Sequence, residues 1–157
     1  MKIKLLAIGK TDNKNLIQLI NEYEGRLKHY IKFELEIIPD IKNVKNLSEI
    51  QQKEKEGTLI LSKLQNTDQL VLLDDKGSDF TSIQFSQYLQ KKMNSGIKQL
   101  VLVIGGPYGF SEAVYKKSTG KIALSKMTFS HQMIRLFIVE QLYRGFTILK
   151  NEPYHHE

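Results

Sequence analysis

The chain has 157 residues, 41% hydrophobic and 25% charged, enough to bury one core without covalent staples and too balanced for a disordered or fibrous architecture. It has no cysteine, which removes disulfide frameworks, thiolate nucleophiles and thiolate zinc sites together and fits a reducing compartment. With 23 Lys and Arg against 17 Asp and Glu, the formal charge is +6 and the pI is near 9.4, a balance that favours polyanionic partners.

Lys2 to Ile8 is a Leu-rich, β-branched run closed by Gly9, and it predicts a buried parallel strand. The opening residues offer no signal-peptide core or cleavage site, and no run approaches the roughly 18 apolar residues of a membrane span. A cytoplasmic protein with no membrane partner is therefore expected. Asp12 is placed to cap a helix whose apolar residues Leu16, Ile20, Tyr23 and Leu27 make one stripe. Phe33 to Ile38 follows as a second strand, stopped by Pro39, and Asp40 to Leu47 reads as loop. Ser48 with Gln51 forms a capping box for a charged helix running toward Leu64, slightly weakened by Gly57.

Gln69 to Leu73 is the third strand, and Asp74, Asp75, Lys76 and Gly77 carry turn chemistry. Thr81 and Gln84 make another capping box, ahead of a helix with Phe85, Tyr88, Leu89 and Met93 on one face and Gly96 at its end. Leu100 to Ile104 is the fourth and clearest strand. This alternation predicts an α/β fold, a mainly parallel sheet with helices on both faces, in a single domain over residues 1–157.

Directly after the fourth strand come Gly105, Gly106, Pro107, Tyr108, Gly109 and Phe110, before Ser111 and Glu112 open a short helix. Loops at the carboxyl ends of parallel strands are where open α/β sheets bind ligands, although a plain turn would use the same residues. The spacing does not fit the dinucleotide fingerprint and lacks the P-loop lysine, which disfavours nicotinamide and nucleoside-triphosphate chemistry. A weak strand at Ile122 to Leu124 leads into a second loop, and a long helix begins near His131. From Met133 to Leu149 that helix is apolar on most sides, which implies burial either in the core or against a second subunit.

Five strings recur in order across this third of the chain: Ile104 to Gly109, Leu124 to Phe129, His131 to Arg135, Glu140 to Arg144, and Pro153-Tyr154-His155. With them the chain closely resembles the ribosomal RNA large subunit methyltransferase H family, the minimal single-domain branch of the SPOUT (α/β-knot) methyltransferases. The resemblance covers essentially the whole chain, including the opening Lys2 to Lys10. It implies a C-terminal trefoil knot and S-adenosylmethionine held by Leu73, Gly105, Leu124, Ser125, Lys126, Met127, Thr128 and Phe129, with no metal required; a homodimer is expected from the apolar final helix. The resemblance further implies methylation of ribosomal RNA in the ribosome, at N3 of a pseudouridine in a large-subunit hairpin.

For the acceptor side the candidates are His131, Arg135, Tyr154 and His155. Arg135 would bind phosphate or steady an anionic base, or else sit in a surface or interface ion pair. His155 has an imidazole suited to proton removal and Tyr154 a stacking face, provided the tail is ordered. His131 is equally placed to cap or pack. Family members often carry Arg or Lys where this chain has His156, which puts a phosphate contact there in doubt. The competing readings are a non-catalytic RNA-binding ribosome-assembly factor and a SPOUT enzyme acting on another RNA.

Overall fold

Strands β1 (Lys2–Ile8), β2 (Lys32–Ile38), β3 (Asp68–Asp79), β4 (Gln99–Ile104) and β5 (Gly120–Ala123) form one sheet, in the computed structural model of the chain, in the order β2-β1-β4-β3-β5. The structure describes residues 1–156. Every pairing is parallel. Helices α1 (Lys14–Leu27), α3 (Ser82–Asn94) and α5 (Met133–Leu149) cover one face, and α2 (Glu49–Ser62) and α4 (Glu112–Lys117) the other.

Both faces being covered explains why β4 is apolar at consecutive positions. Leu100, Leu102 and Ile104 pack toward α3 and α5, while Val101 and Val103 pack with Ile60 of α2 and Val114 of α4. Both capping boxes form as read, Ser48 with Gln51 and Thr81 with Gln84. No described helix is long and apolar enough to cross a membrane.

Four local expectations change. Asn13, not Asp12, caps α1: it has the extended backbone of a cap, and its side chain accepts from the amides of Asn15 at 2.8 Å and Leu16 at 3.2 Å. The expected loop 40–47 contains a short 3-10 turn at Val44–Asn46, entered through Asn43 at φ 60°. The weak strand lies earlier, at Gly120–Ala123, because it pairs with β3 from Val71 onward. Most consequential, Asp74 to Gly77 do not turn the chain. They lie within β3, whose register against β5 slips so that Leu73 and Ser78 both face Ile122. The turn chemistry is spent on this bulge, where the Asp74 carboxylate accepts the Lys76 amide at 2.8 Å.

Candidate active site

The carboxyl ends of β3, β4 and β5 open on one side of the sheet, and three irregular segments meet there: the β3 bulge, the glycine loop 105–111 and the segment 124–132 leading to α5. Between them lies a cavity of about 560 Å³, within the range of roughly 300–1,000 Å³ usual for small-molecule sites. Leu73, Gly105, Leu124, Ser125, Met127, Thr128 and Phe129 all line it, and so does His131. Lys126 is the exception in its loop; it lies on the outer side, with Thr81 and Gln84.

Local chemistry shapes this wall. The Ser125 hydroxyl accepts the Met127 amide at 2.9 Å and leaves the Met127 side chain 74% exposed. The Phe129 ring sits 4.7 Å from that of Phe137 on α5. Ser130 accepts the Met133 amide at 3.2 Å and so takes up an orphan donor at the start of α5. Two lining residues that sequence reasoning missed carry the electrostatics: the Tyr115 hydroxyl donates to Asp74 at 2.5 Å. Burial pulls the Asp74 carboxyl upward, but the hydrogen bonds from Tyr115 and the Lys76 amide, with nearby Lys121, outweigh it and hold the group below its ordinary value. Tyr115 is pushed up to about 12 by burial and by that same carboxylate. The cavity thus carries a fixed negative charge beside an apolar wall. Asp74 had read as turn chemistry, and nothing in the local sequence around Tyr115 points across to β3.

Arg135 is placed differently from either role read for it. It is 0% exposed, and its guanidinium donates to the carbonyls of Ile8 at 2.6 Å, Gly9 at 2.8 Å and His131 at 2.9 Å, and to the Thr11 hydroxyl at 3.0 Å. Burial lowers its proton affinity, against the pull of Asp40 and Asp12. It therefore ties the end of β1 to the start of α5 and presents no donor to the cavity.

The tail packs on its own chain but lies outside the cavity. Asn151, at φ 54°, turns the backbone after α5, and the Tyr30 hydroxyl holds Glu152. Tyr154 then packs edge-on against Tyr143 at 4.7 Å, its hydroxyl 3.1 Å from that of Tyr23 and donating to Glu140 at 3.0 Å. Burial, then Tyr23 and Glu140, raise the Tyr154 phenol well above its ordinary value. Arg144 lies over the Tyr154 ring at 4.7 Å, pairs with Glu140 at 2.6 Å and comes within 3.4 Å of His155 Nδ1. The structure therefore brings His131 to the cavity and gathers Tyr154 and His155 on the flank of α5. Among the described residues, no group of three or more His, Cys, Asp or Glu side chains is arranged to hold a metal.

One side of α5 is only partly covered: Leu136 and Phe137 are half-buried, and Met133 is 36% exposed. A family model described as Predicted SPOUT methyltransferase matches residues 1–155. The chain is 74% identical to a protein of Flavobacterium johnsoniae, 75% to one of Flavobacterium psychrophilum and 69% to one of Parabacteroides distasonis, in each case over 100% of both chains. All of these relatives bear the name ribosomal RNA large subunit methyltransferase H.

Proposed function

The chain belongs to the SPOUT methyltransferase family, and from that premise we propose that it uses S-adenosylmethionine to methylate large-subunit ribosomal RNA in the ribosome, at N3 of a pseudouridine. The observation that carries this reading is the cavity at the carboxyl ends of β3, β4 and β5, lined by seven of the eight residues expected to hold the cofactor. Its chemistry fits the group: an apolar wall for the adenine ring from Leu73, Leu124 and Met127, main chain at Gly105, Ser125 and Thr128 for polar edges, and ionised Asp74 to balance a cation. When bound, S-adenosylmethionine supplies a methyl group already activated by a sulfonium, so the protein's share is alignment and removal of the acceptor's proton.

His131 serves the acceptor side from within the cavity. Tyr154 and His155 serve it across a homodimer. A two-fold antiparallel pairing of the uncovered α5 faces, centred near Leu136 and Phe137, sets each helix's middle against the other's start. The tail lies on α5 near Tyr143 and Arg144, about ten residues or roughly 15 Å along the helix from Met133. Such a pairing carries it toward the partner's cavity. Arg135 acts as a positioning residue, and Lys126, outside the cavity, meets RNA phosphate. The chain works as one domain over residues 1–157, with the trefoil knot of its family, in the cytoplasm.

Phosphate contacts position RNA without specifying a base, so a small basic dimer needs the shape of the assembled particle for selectivity. Methyl transfer measured on assembled ribosomes, isolated large subunits and naked hairpin RNA at matched salt is expected to favour a protein-containing particle. Equal rates on naked hairpin would overturn the recognition scheme. RNA binding with no methyl incorporation on any substrate would favour an assembly factor instead.

Replacing Gly105 by Val checks the cofactor location. A Cβ there meets the Phe110 ring at 3.1 Å, and Phe110 is 6% exposed and has little room to yield. Overpacking of about 1–3 kcal/mol is expected to weaken calorimetric binding of S-adenosylmethionine roughly tenfold or more while the chain still folds. Undiminished binding would place the cofactor elsewhere.

A further inference from the structure

Methyl transfer as described leaves the buried carboxyl of Glu56 without a role. Glu56 of α2 is 3% exposed; its Oε1 accepts from Gln52 at 2.9 Å, and its Oε2 has no hydrogen-bond partner. The carboxyl fills the space of the side chain that Gly106 lacks, since a Cβ on Gly106 would lie 2.3 Å from Oε2. Gly106 lines the cavity and Glu56 does not, so the carboxyl stands behind the glycine wall. The next residue repeats the contact at the other end of the loop: a Cβ on Gly57 would lie 2.2 Å from Ser111 Oγ, itself buried and unpartnered. Consecutive residues of α2 thus brace both ends of loop 105–111.

An apolar side chain would brace the loop without the desolvation penalty of a carboxyl. The penalty is visible in the group itself, because burial holds its proton affinity above the ordinary carboxylate range, with Asp40 adding to the shift and Gln52 and His131 opposing it. Asp40 from the β2–α2 connection and His131 from the segment before α5 are the charged or titratable groups that act on it, and Gln52 is its partner on its own helix.

Resting on the cofactor location given above, we propose that Glu56 is a specificity-determining residue behind the glycine wall, whose ionised carboxyl favours the cationic methyl donor over its neutral thioether product. Methyl transfer turns the sulfonium of S-adenosylmethionine into the uncharged sulfur of S-adenosylhomocysteine, so a negative charge close to the cavity favours the first and not the second. The intervening wall is protein, not water, and leaves the interaction weakly screened. Glu56 thereby assists capture of the donor without tightening the hold on the product.

The test is calorimetric affinity for S-adenosylmethionine and S-adenosylhomocysteine between acid and alkaline pH, for wild type, Glu56→Gln and Glu56→Leu. Gln keeps the shape of the brace and removes only the charge, and its folding is checked by thermal unfolding. At alkaline pH Glu56→Gln is expected to bind the donor about tenfold more weakly, the scale of one charge acting on another about 12 Å away through an effective dielectric near 20. Its affinity for the product should stay at the wild-type level. The donor difference should vanish in acid, where wild-type Glu56 is protonated, and grow as pH rises through its elevated pKa. Glu56→Leu, lacking both charge and shape, is expected to lose affinity for both ligands. Equal weakening of donor and product by Glu56→Gln, or no change at any pH, would overturn the proposal and leave the cofactor location standing. Wild-type protein that bound neither ligand would overturn both.

Discussion

Truncation after Pro153 is expected to lower the methyl-transfer rate by about 10²–10⁴-fold, the usual contribution of a positioned proton acceptor, while affinity for S-adenosylmethionine stays close to that of the intact chain. The separation follows from geometry: Tyr154 and His155 pack on α5 against Tyr143, Glu140 and Arg144, outside the cavity of their own chain. If they act on the partner's cavity, the defect is complemented in trans. A dimer of one truncated chain and one Gly105→Val chain joins an intact cavity to an intact tail at one of its two sites. Co-expression under two affinity tags, with single-turnover methyl transfer as the readout, is expected to recover up to half of the wild-type activity. With S-adenosylmethionine held below the dissociation constant of the Gly105→Val protein, each homodimer alone should fall well below that level. A truncated homodimer with full activity would remove the tail from the reaction, and mixed dimers as inactive as the homodimers would confine each site to one chain.

Arg135→Ala is expected to cost about 3–5 kcal/mol of folding stability or to prevent folding, a value that only a few mechanisms reach. The substitution empties a large, fully buried volume and leaves the carbonyls of Ile8, Gly9 and His131 without the donor they now have, each orphan costing roughly 1–3 kcal/mol. Arg135→Lys should recover less than half of this, because one ammonium cannot match the planar fork that spans acceptors on both β1 and the segment before α5. Denaturant unfolding of the three proteins measures the effect directly. A loss below about 1 kcal/mol, the median for single substitutions, would mean that the guanidinium does not hold β1 to α5. Some loss of methyl transfer is expected in any surviving variant, since the tether fixes His131 and Ile134, both of which line the cavity.

The order of elements was legible along the chain because the signals are local. The apolar run of β4 and the two capping boxes each depend on a handful of adjacent residues, and each forms as read. The loop 105–111 was marked by its glycines, and both loops that enclose the cavity by their place after a strand, a rule that holds wherever helices cover both faces of a parallel sheet. Local reading failed where two segments distant in the chain compete for one residue. Asp74 has the chemistry of a turn, yet pairing with β5 keeps it within β3 and the Tyr115 hydroxyl claims its carboxylate. Arg135 looks like a cation for phosphate, and only its closeness to the carbonyls of β1, more than 120 residues away in sequence, turns it into a tether. Glu56 lies in a charged helix and carries no mark of burial until loop 105–111 folds against it. Hydrophobic period and capping chemistry, which act over a few residues, were determined by the sequence alone; strand order, the β3 bulge and the fates of Asp74, Arg135 and Glu56 were decided by tertiary contacts, because burial and long-range hydrogen bonding set the surroundings of each group.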